Sequence, residues 1–570
     1  MVEGTSGENA ENGLSRRHLL GRGGILAAGA LGAVSLAGAL DATAADAATP
    51  ESGTGAGASA AGPQPTAFGP FTIEPGDVRY ESMLRGDNFR FVGAPDQVRV
   101  VSSTEQVVRA VRDAVRAGQW IAPRSGGHCF ENFTADPGIR MLLDLSPMNA
   151  VGFDPEMHAF LVEPGARLGE VYTALFKGWG VTIPAGGCPD VGAGGHFAGG
   201  GYGPLSRRYG SVVDHLYGVE VVVVDAHGEV RVVRATREAD DPNRELWWAH
   251  TGGGGGNFGV VTKYWLRDPS TTGKEPPEKL LPPAPAEMYF QFVTWNWEDA
   301  KMSPDAFVAL MRNFGTWHEQ NSAPGSPGTG LYAVLLPTCP LAGGSLVMAI
   351  QADASWPNVA ELADGLIKAV NGDTGLTYTA PARRYPWLHM VTWPGDGEGG
   401  NKLYRRQKLK AGYLRKGYTD TQLHAIAKAM LDPAGTSMDG VLLIGYGGQV
   451  QAVAPDATAV AQRDVVMKAV FTTAWLDEAE DADQISWVRR AYRAVYADTG
   501  GVPVPNEVSN GSYVNYPDVD LADPKWNTSG VPWSTLYYLD NYPRLQRIKA
   551  RWDPRGVFHH AMSIEPPAGH

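Results

Sequence analysis

Cysteine is nearly missing from this chain. Three residues in 570, Cys129, Cys188 and Cys339, are too few for a disulfide framework, and the odd count leaves a cysteine free for chemistry. Metal-ligand patterns are missing too. There is no His-x-x-x-His or Cys-x-x-Cys spacing, and His559-His560 has no partner at ligand spacing, so no metal is expected. Cations are in deficit, with 48 Lys and Arg against 61 Asp and Glu. The formal charge of −13 argues against nucleic acid or an anionic membrane surface as partner. Hydrophobic content of 43% and charged content of 19% are those of a globular protein, and the length calls for two or three domains.

Near the N-terminus an apolar run spans residues 25–40, short and rich in Ala and Gly, which suits a bilayer span poorly. Ser15-Arg16-Arg17-His18-Leu19-Leu20 precedes it and Ala45-Asp46-Ala47 follows. Charged region, apolar region and small-residue site in that order make residues 1–47 a twin-arginine signal peptide. Residues 48–69 hold few large apolar groups and are expected to be a disordered linker. The mature protein is expected to be secreted, and the twin-arginine route exports chains already folded.

Periodicity organises the rest. Short apolar runs predict strands at 98–101, 120–123, 141–145 and 159–163. Helices are predicted from Ser103, an N-cap, and over 168–179. Residues 219–224 and 230–233 read as a hairpin around Ala226-His227-Gly228. Pro276-Pro277 and Pro282-Pro283 mark a domain boundary. Beyond it, strands near 288–293, 331–336 and 346–351 mix with helices near 303–320, 360–370, 419–431 and 481–498. That pattern is α+β and not a parallel doubly wound sheet.

Two glycine turns carry the chemistry. Arg124-Ser125-Gly126-Gly127-His128 and Gly186-Gly187-Cys188-Pro189-Asp190 each follow a strand-like run. Such turns present backbone N–H groups able to hold a pyrophosphate. A hydrogen-bonded turn histidine and a small buried cysteine would each be ordinary taken singly. An imidazole and a thiol in two such turns are instead the side chains suited to bonding a flavin ring. A Rossmann site is the rival. Gly192-Ala193-Gly194 supplies two of its glycines, but no glycine or alanine stands at the third position, and no acidic residue is evident after the next strand.

These turns, with Gly199-Gly200-Gly201-Tyr202-Gly203-Pro204-Leu205-Ser206-Arg207-Arg208-Tyr209-Gly210, resemble the berberine bridge enzyme-like flavoproteins of the vanillyl-alcohol oxidase superfamily. Ser512-Tyr513-Val514-Asn515-Tyr516-Pro517-Asp518 and Asn541-Tyr542-Pro543-Arg544-Leu545 match as well, so the resemblance runs from Asp77 to Ile564. It implies a two-domain α+β fold. The FAD-binding domain would join residues 70–285 with 500–566, and residues 286–499 would form an antiparallel-sheet substrate domain covered by helices.

The resemblance further implies FAD bonded at its 8α-methyl group to His128 and at ring position 6 to Cys188. Arg124, Ser125, Gly126, Gly127, Gly187, Val191, Gly192, Gly194, Gly195, His196, Gly199, Gly200, Gly259, Val260, Val261, Asn515 and Tyr516 would complete the site. Plant members carry a glutamate base after a Tyr-Gly-Gly turn. Here Tyr446-Gly447-Gly448 leads to Ala452 at that place, so the plant cyclisation mechanism does not carry over. The chain is more similar to bacterial members, in which a tyrosine takes the proton. Tyr513 is then the expected base and Tyr446 its partner.

The expected reaction is hydride transfer from a secondary alcohol of a bulky sugar or natural product to FAD, with O2 reduced to H2O2. Desaturation or oxidative ring closure on the same flavin is the enzymatic alternative. A flavin-containing binding protein without turnover is the other.

Overall fold

The computed structural model describes residues 68–392, 405–436 and 438–569. The expected signal peptide and residues 48–67 of the expected linker lie outside them. Three sheets carry the fold. The first holds β1 (Phe71–Ile73), β2 (Gln97–Val100), β3 (Ile121–Arg124) and β4 (Met141–Asp144) in the order β1-β2-β4-β3. Strands β2, β4 and β3 run parallel, with Gln97 and Ile121 both opposite Met141. The helix Thr104–Ala117 makes the crossover. Ser103 accepts from the Gln106 amide at its start, and Gly118 in the left-handed region ends it. Val107, Ala110, Val111 and Ala114 give it one buried stripe, packed on Ile121, Met141 and Leu143.

The second sheet is antiparallel: β5 (Val151–Asp154), β6 (Ala159–Val162), β7 (Leu216–Val224), β8 (Val230–Thr236) and β9 (Val260–Leu266), in the order β5-β6-β9-β7-β8. The expected hairpin is β7 and β8, with Val224 opposite Val230. β7 is buried along all but one of its residues, and it ends in the valine run 221–224 after the buried Glu220.

The third and largest sheet is antiparallel throughout. It contains β10 (Glu287–Trp295), β11 (Tyr332–Pro337), β12 (Leu346–Asp353), β13 (Tyr378–Thr379), β14 (Ala382–Pro386), β15 (Arg406–Leu414), β16 (Gly440–Gly445) and β17 (Met467–Trp475). Its order is β13-β10-β12-β11-β16-β17-β15, with β14 also on β10. The helices Pro304–Asn321, Val359–Asn371, Asp420–Met430 and Asp481–Val495 cover one face. The other face carries Tyr332, Ile444, Lys468 and Tyr413 and turns toward the two glycine turns. This is the α+β, vanillyl-alcohol oxidase-type architecture. After β17 and its helix the chain returns, and residues 508–511 pair along the free edge of β15 (Tyr413 N–H to Gly511 O, 2.8 Å). That return brings Tyr513–Tyr516 against the sheet.

Candidate active site

The two glycine turns touch. A Cβ on Gly126 would stand 2.4 Å from the Gly192 nitrogen, so only glycine permits this approach. Beneath the first turn, Arg124 is buried and paired with Asp144 at 2.7 Å, and it also donates to the Met83 carbonyl at 2.5 Å. Ser125 donates to the Pro164 carbonyl at 2.5 Å. The second turn is held by His196, whose Nε2 accepts the Gly186 amide at 3.0 Å. Burial, helped by nearby Lys468, drives the His196 pKa down to about 3, so the ring stays the neutral acceptor this bond requires.

A cleft with about 1850 Å³ of empty space, including its open mouth, runs past both turns. Of the residues expected at the site, Arg124, Ser125, Gly126, Gly127, His128, Gly187, Cys188, Val191, Gly192, Gly194, Gly195, His196, Gly259, Val261, Tyr513, Asn515 and Tyr516 line it. Four expected residues do not. Gly199 leaves room for the Asn515 side chain, and the Gly200 carbonyl accepts the Tyr513 hydroxyl at 3.1 Å. Val260 points to the other side of β9 from Val261, into the core with Val107 and Phe558. Tyr446 stands behind Tyr202, ring to ring at 5.5 Å.

The cleft fits a flat, anionic cofactor. The amides of Gly126 and Gly127 have no acceptor among the described residues, and no Asp or Glu lines the walls. A Cβ on Gly195 or Gly255 would meet no protein atom within 4 Å and would take up cleft space instead. His128 and Cys188 open onto the same space. Burial is the main cause pushing the Cys188 thiol above its ordinary pKa, against hydrogen bonds from the amides of Asp190 and Val191. At neutral pH it is a thiol.

Six tyrosines, Tyr202, Tyr332, Tyr413, Tyr446, Tyr513 and Tyr516, gather between the cleft and the third sheet. Tyr513 donates to Gly200 and accepts from Asn515 Nδ2 at 3.1 Å, and Tyr202 and Tyr516 share a bond of 3.0 Å between hydroxyls. Burial raises all their pKa values, that of Tyr516 to about 12. Among them stands Lys468. Its Nζ lies 3.3 Å from the ring centroid of Tyr202, 3.8 Å from Tyr513, 4.2 Å from Tyr446 and 4.9 Å from Tyr413. It is buried and has no hydrogen-bond partner among the described residues. Burial, then repulsion from Arg463, lowers its pKa well below that of a free lysine.

The sequence reading missed Lys468, Tyr202, Tyr332 and Tyr413. A signal for the lysine was there: it interrupts the run Val465-Val466-Met467-Lys468-Ala469-Val470-Phe471, and an unpaired lysine in a buried strand asks for an explanation. It also missed His559 and His560, which line the cleft with the glycine run Gly254-Gly255-Gly256. His560 stacks on Phe133 at 4.1 Å, and burial holds its pKa at about 3. Ala452 lies exposed at the end of the turn after Tyr446, with no carboxylate to offer.

A cleft that can hold FAD between paired glycine turns, faced by a tyrosine cluster on an antiparallel sheet, defines a flavin-dependent oxidoreductase. Residues 95–234 match the FAD binding domain model and residues 512–565 the berberine and berberine-like model, and the chain belongs to this berberine bridge enzyme-like family of FAD-linked oxidases. It is 50% identical over 493 residues to aclacinomycin-N/aclacinomycin-A oxidase of Streptomyces galilaeus, covering 86% of this chain and 89% of that one. It is 31% identical over 538 residues to hexose oxidase of Chondrus crispus, with coverages of 86% and 93%. The crystal structure of a glycopeptide hexose oxidase complexed with teicoplanin superimposes with a TM-score of 0.83 at 50% identity, covering 88% of this chain and 99% of that one. The cofactor is FAD.

Proposed function

We propose that this protein oxidises a secondary alcohol on a sugar or sugar-bearing natural product to a ketone. The observation that carries the proposal is Tyr513 lining the cleft, with Lys468 Nζ 3.8 Å from its ring centroid. Bound FAD supplies the hydride acceptor and the route for electrons to O2, which gives H2O2. His128 and Cys188 would hold it through two covalent bonds, leaving one face open to a bulky substrate.

Tyr513 acts as base for the substrate hydroxyl only as a phenolate. A free tyrosine, with a pKa of about 10, is mostly protonated at neutral pH, and burial makes ionisation harder still. The Gly200 carbonyl also favours the phenol, since it accepts that proton. Two groups work the other way. Asn515 donates to the oxygen, and Lys468 gains as much from a neighbouring phenolate as the phenolate gains from it. Tyrosine and lysine are each costly to charge alone in this enclosure and much less costly as a pair.

The open mouth and the names of the relatives, which act on aclacinomycin and hexose, support a sugar or a large glycoside as substrate. The paired arginines before the first apolar run support export by the twin-arginine route and work outside the cell. The experiment is flavin reduction by aclacinomycin A and by hexoses, followed by absorbance, with peroxide measured in air. Tyr513→Phe should keep its flavin and slow reduction by a factor of about 10² to 10⁴. Unchanged reduction would remove Tyr513 from the mechanism. Absence of peroxide with every alcohol would remove the oxidase.

A further inference from the structure

Six charged side chains that the proposed chemistry does not use lie together at the β15 edge of the third sheet. Lys408 and Lys410 project from β15, and Arg489 comes from the helix Asp481–Val495. Asp518 and Asp520 follow Tyr516 by two and four residues, and Glu131 follows His128 by three. Lys408 bonds Glu131, and Asp518 at 2.8 Å. Lys410 bonds Asp518 at 2.5 Å and Asp520 at 2.8 Å, and Arg489 grips both oxygens of Asp520 at 2.6 and 2.9 Å. Three cations meet three carboxylates, so the cluster is neutral. All but Arg489 are buried.

Stability alone does not explain such a cluster. Well-packed apolar side chains of the same volume are often as stabilising as a buried ion network, because desolvation consumes most of the attraction. A network of short directional bonds does what apolar packing does not: it fixes which atoms stand opposite which. This one ties three separate segments to a single strand. Burial would depress the Lys408 ammonium, yet Asp518 and Glu131, with Asp520, hold its pKa above the ordinary value, so it is charged whenever the fold is intact.

We infer that this sextet sets the spacing of the active site, with β15 as the ruler, Glu131 the tie to the His128 turn and Asp518 the tie to the Tyr513–Tyr516 segment. Glu131, Lys408, Lys410 and Asp518 are then positioning residues, and the inference rests on the reading of His128 as a flavin attachment point.

The test is a crossover in Cys188→Ala protein, where retained flavin reports the histidine bond alone. Adding Glu131→Gln should lower the share of flavin that stays with the acid-precipitated protein about tenfold. Adding Asp518→Asn should leave that share near the parent's while slowing flavin reduction by aclacinomycin A about tenfold, with KM little changed. Glu131→Gln/Lys408→Met keeps the cluster neutral. It should unfold near the parent's temperature and still lose flavin, which separates position from folding. Equal effects of Glu131→Gln and Asp518→Asn on both readouts, or flavin retention that simply tracks unfolding temperature, would overturn the inference. Parent protein that retains flavin while every variant matches it overturns the inference alone. Parent protein that releases all its flavin overturns the attachment reading and the inference with it.

Discussion

Lys468 and Lys408 are both fully buried lysines of the same sheet, and they are buried in opposite ways. Lys408 has two carboxylates in contact and its pKa is raised; Lys468 has four aromatic rings and, among the described residues, no anion and no hydrogen bond, and its pKa is driven down. One charge is complete in the resting protein. The other is left wanting a partner, and the nearest groups able to become one are the tyrosines around it. A buried polar group without partners costs free energy, and such costs concentrate where chemistry needs them. The contrast separates a site that holds position from one that holds reactivity.

The largest expected effect is on catalysis. Lys468→Met should slow flavin reduction by about 10²-fold and move the rise of kcat/KM with pH to higher pH, because the phenolate loses the cation that favours it. Lys408→Met should leave the midpoint of that pH profile in place. A pH profile of kcat/KM for both variants decides this. If the Lys468→Met profile keeps its midpoint, the lysine does not assist the tyrosine.

Stability should respond in the reverse order. Lys408→Met leaves Glu131 without its cation and should cost about 3–5 kcal/mol. Lys468→Met removes a desolvated amine that has no partner, so it should be close to neutral or stabilising. Denaturant unfolding of the two variants measures both. A large loss in Lys468→Met would mean that its contact with the rings is worth more than its desolvation costs.

The smallest effect is a pH dependence of that stability. Lys468 has a folded pKa below its unfolded value, so the unfolded chain binds more protons and folding gains as pH rises. Stability of wild type relative to Lys468→Met should therefore increase between neutral pH and about 10, where a free lysine titrates. Asp520 is shifted in the same direction for a different reason, held low by Arg489 and Lys410 against the effect of burial, so it too makes folding gain as pH rises, in an acidic window. Its contribution is present above the ordinary aspartate range and is lost as pH falls through the lower folded value. An unfolding series across pH that shows no such slope for Lys468 would mean that its amine is charged in the fold.

The parts of this molecule that a reader can take from the sequence are the local ones. Helix Leu168–Trp179 and the β7–β8 hairpin follow from periodicity and turn residues, and the two glycine turns stand out because backbone must approach backbone there. The site as a meeting place is harder to see. Tyr202, Tyr446, Lys468 and Tyr513 span more than three hundred residues, and only the return of residues 508–511 along β15 brings the last of them in. The ion sextet is hidden for the same reason: Glu131, Lys408 and Asp518 are ordinary surface residues by type and spacing. β5 was also missed, since Val151–Asp154 is only four residues long and half-buried.

The most direct test of the account is the visible spectrum of the purified protein and of its acid-precipitated pellet, with Cys188→Ala, His128→Ala and the double variant alongside. Two attachments predict a yellow pellet for wild type and for each single variant, and a colourless one for the double variant. Flavin that passes into the supernatant from wild type would contradict covalent attachment and reduce both residues to binding contacts.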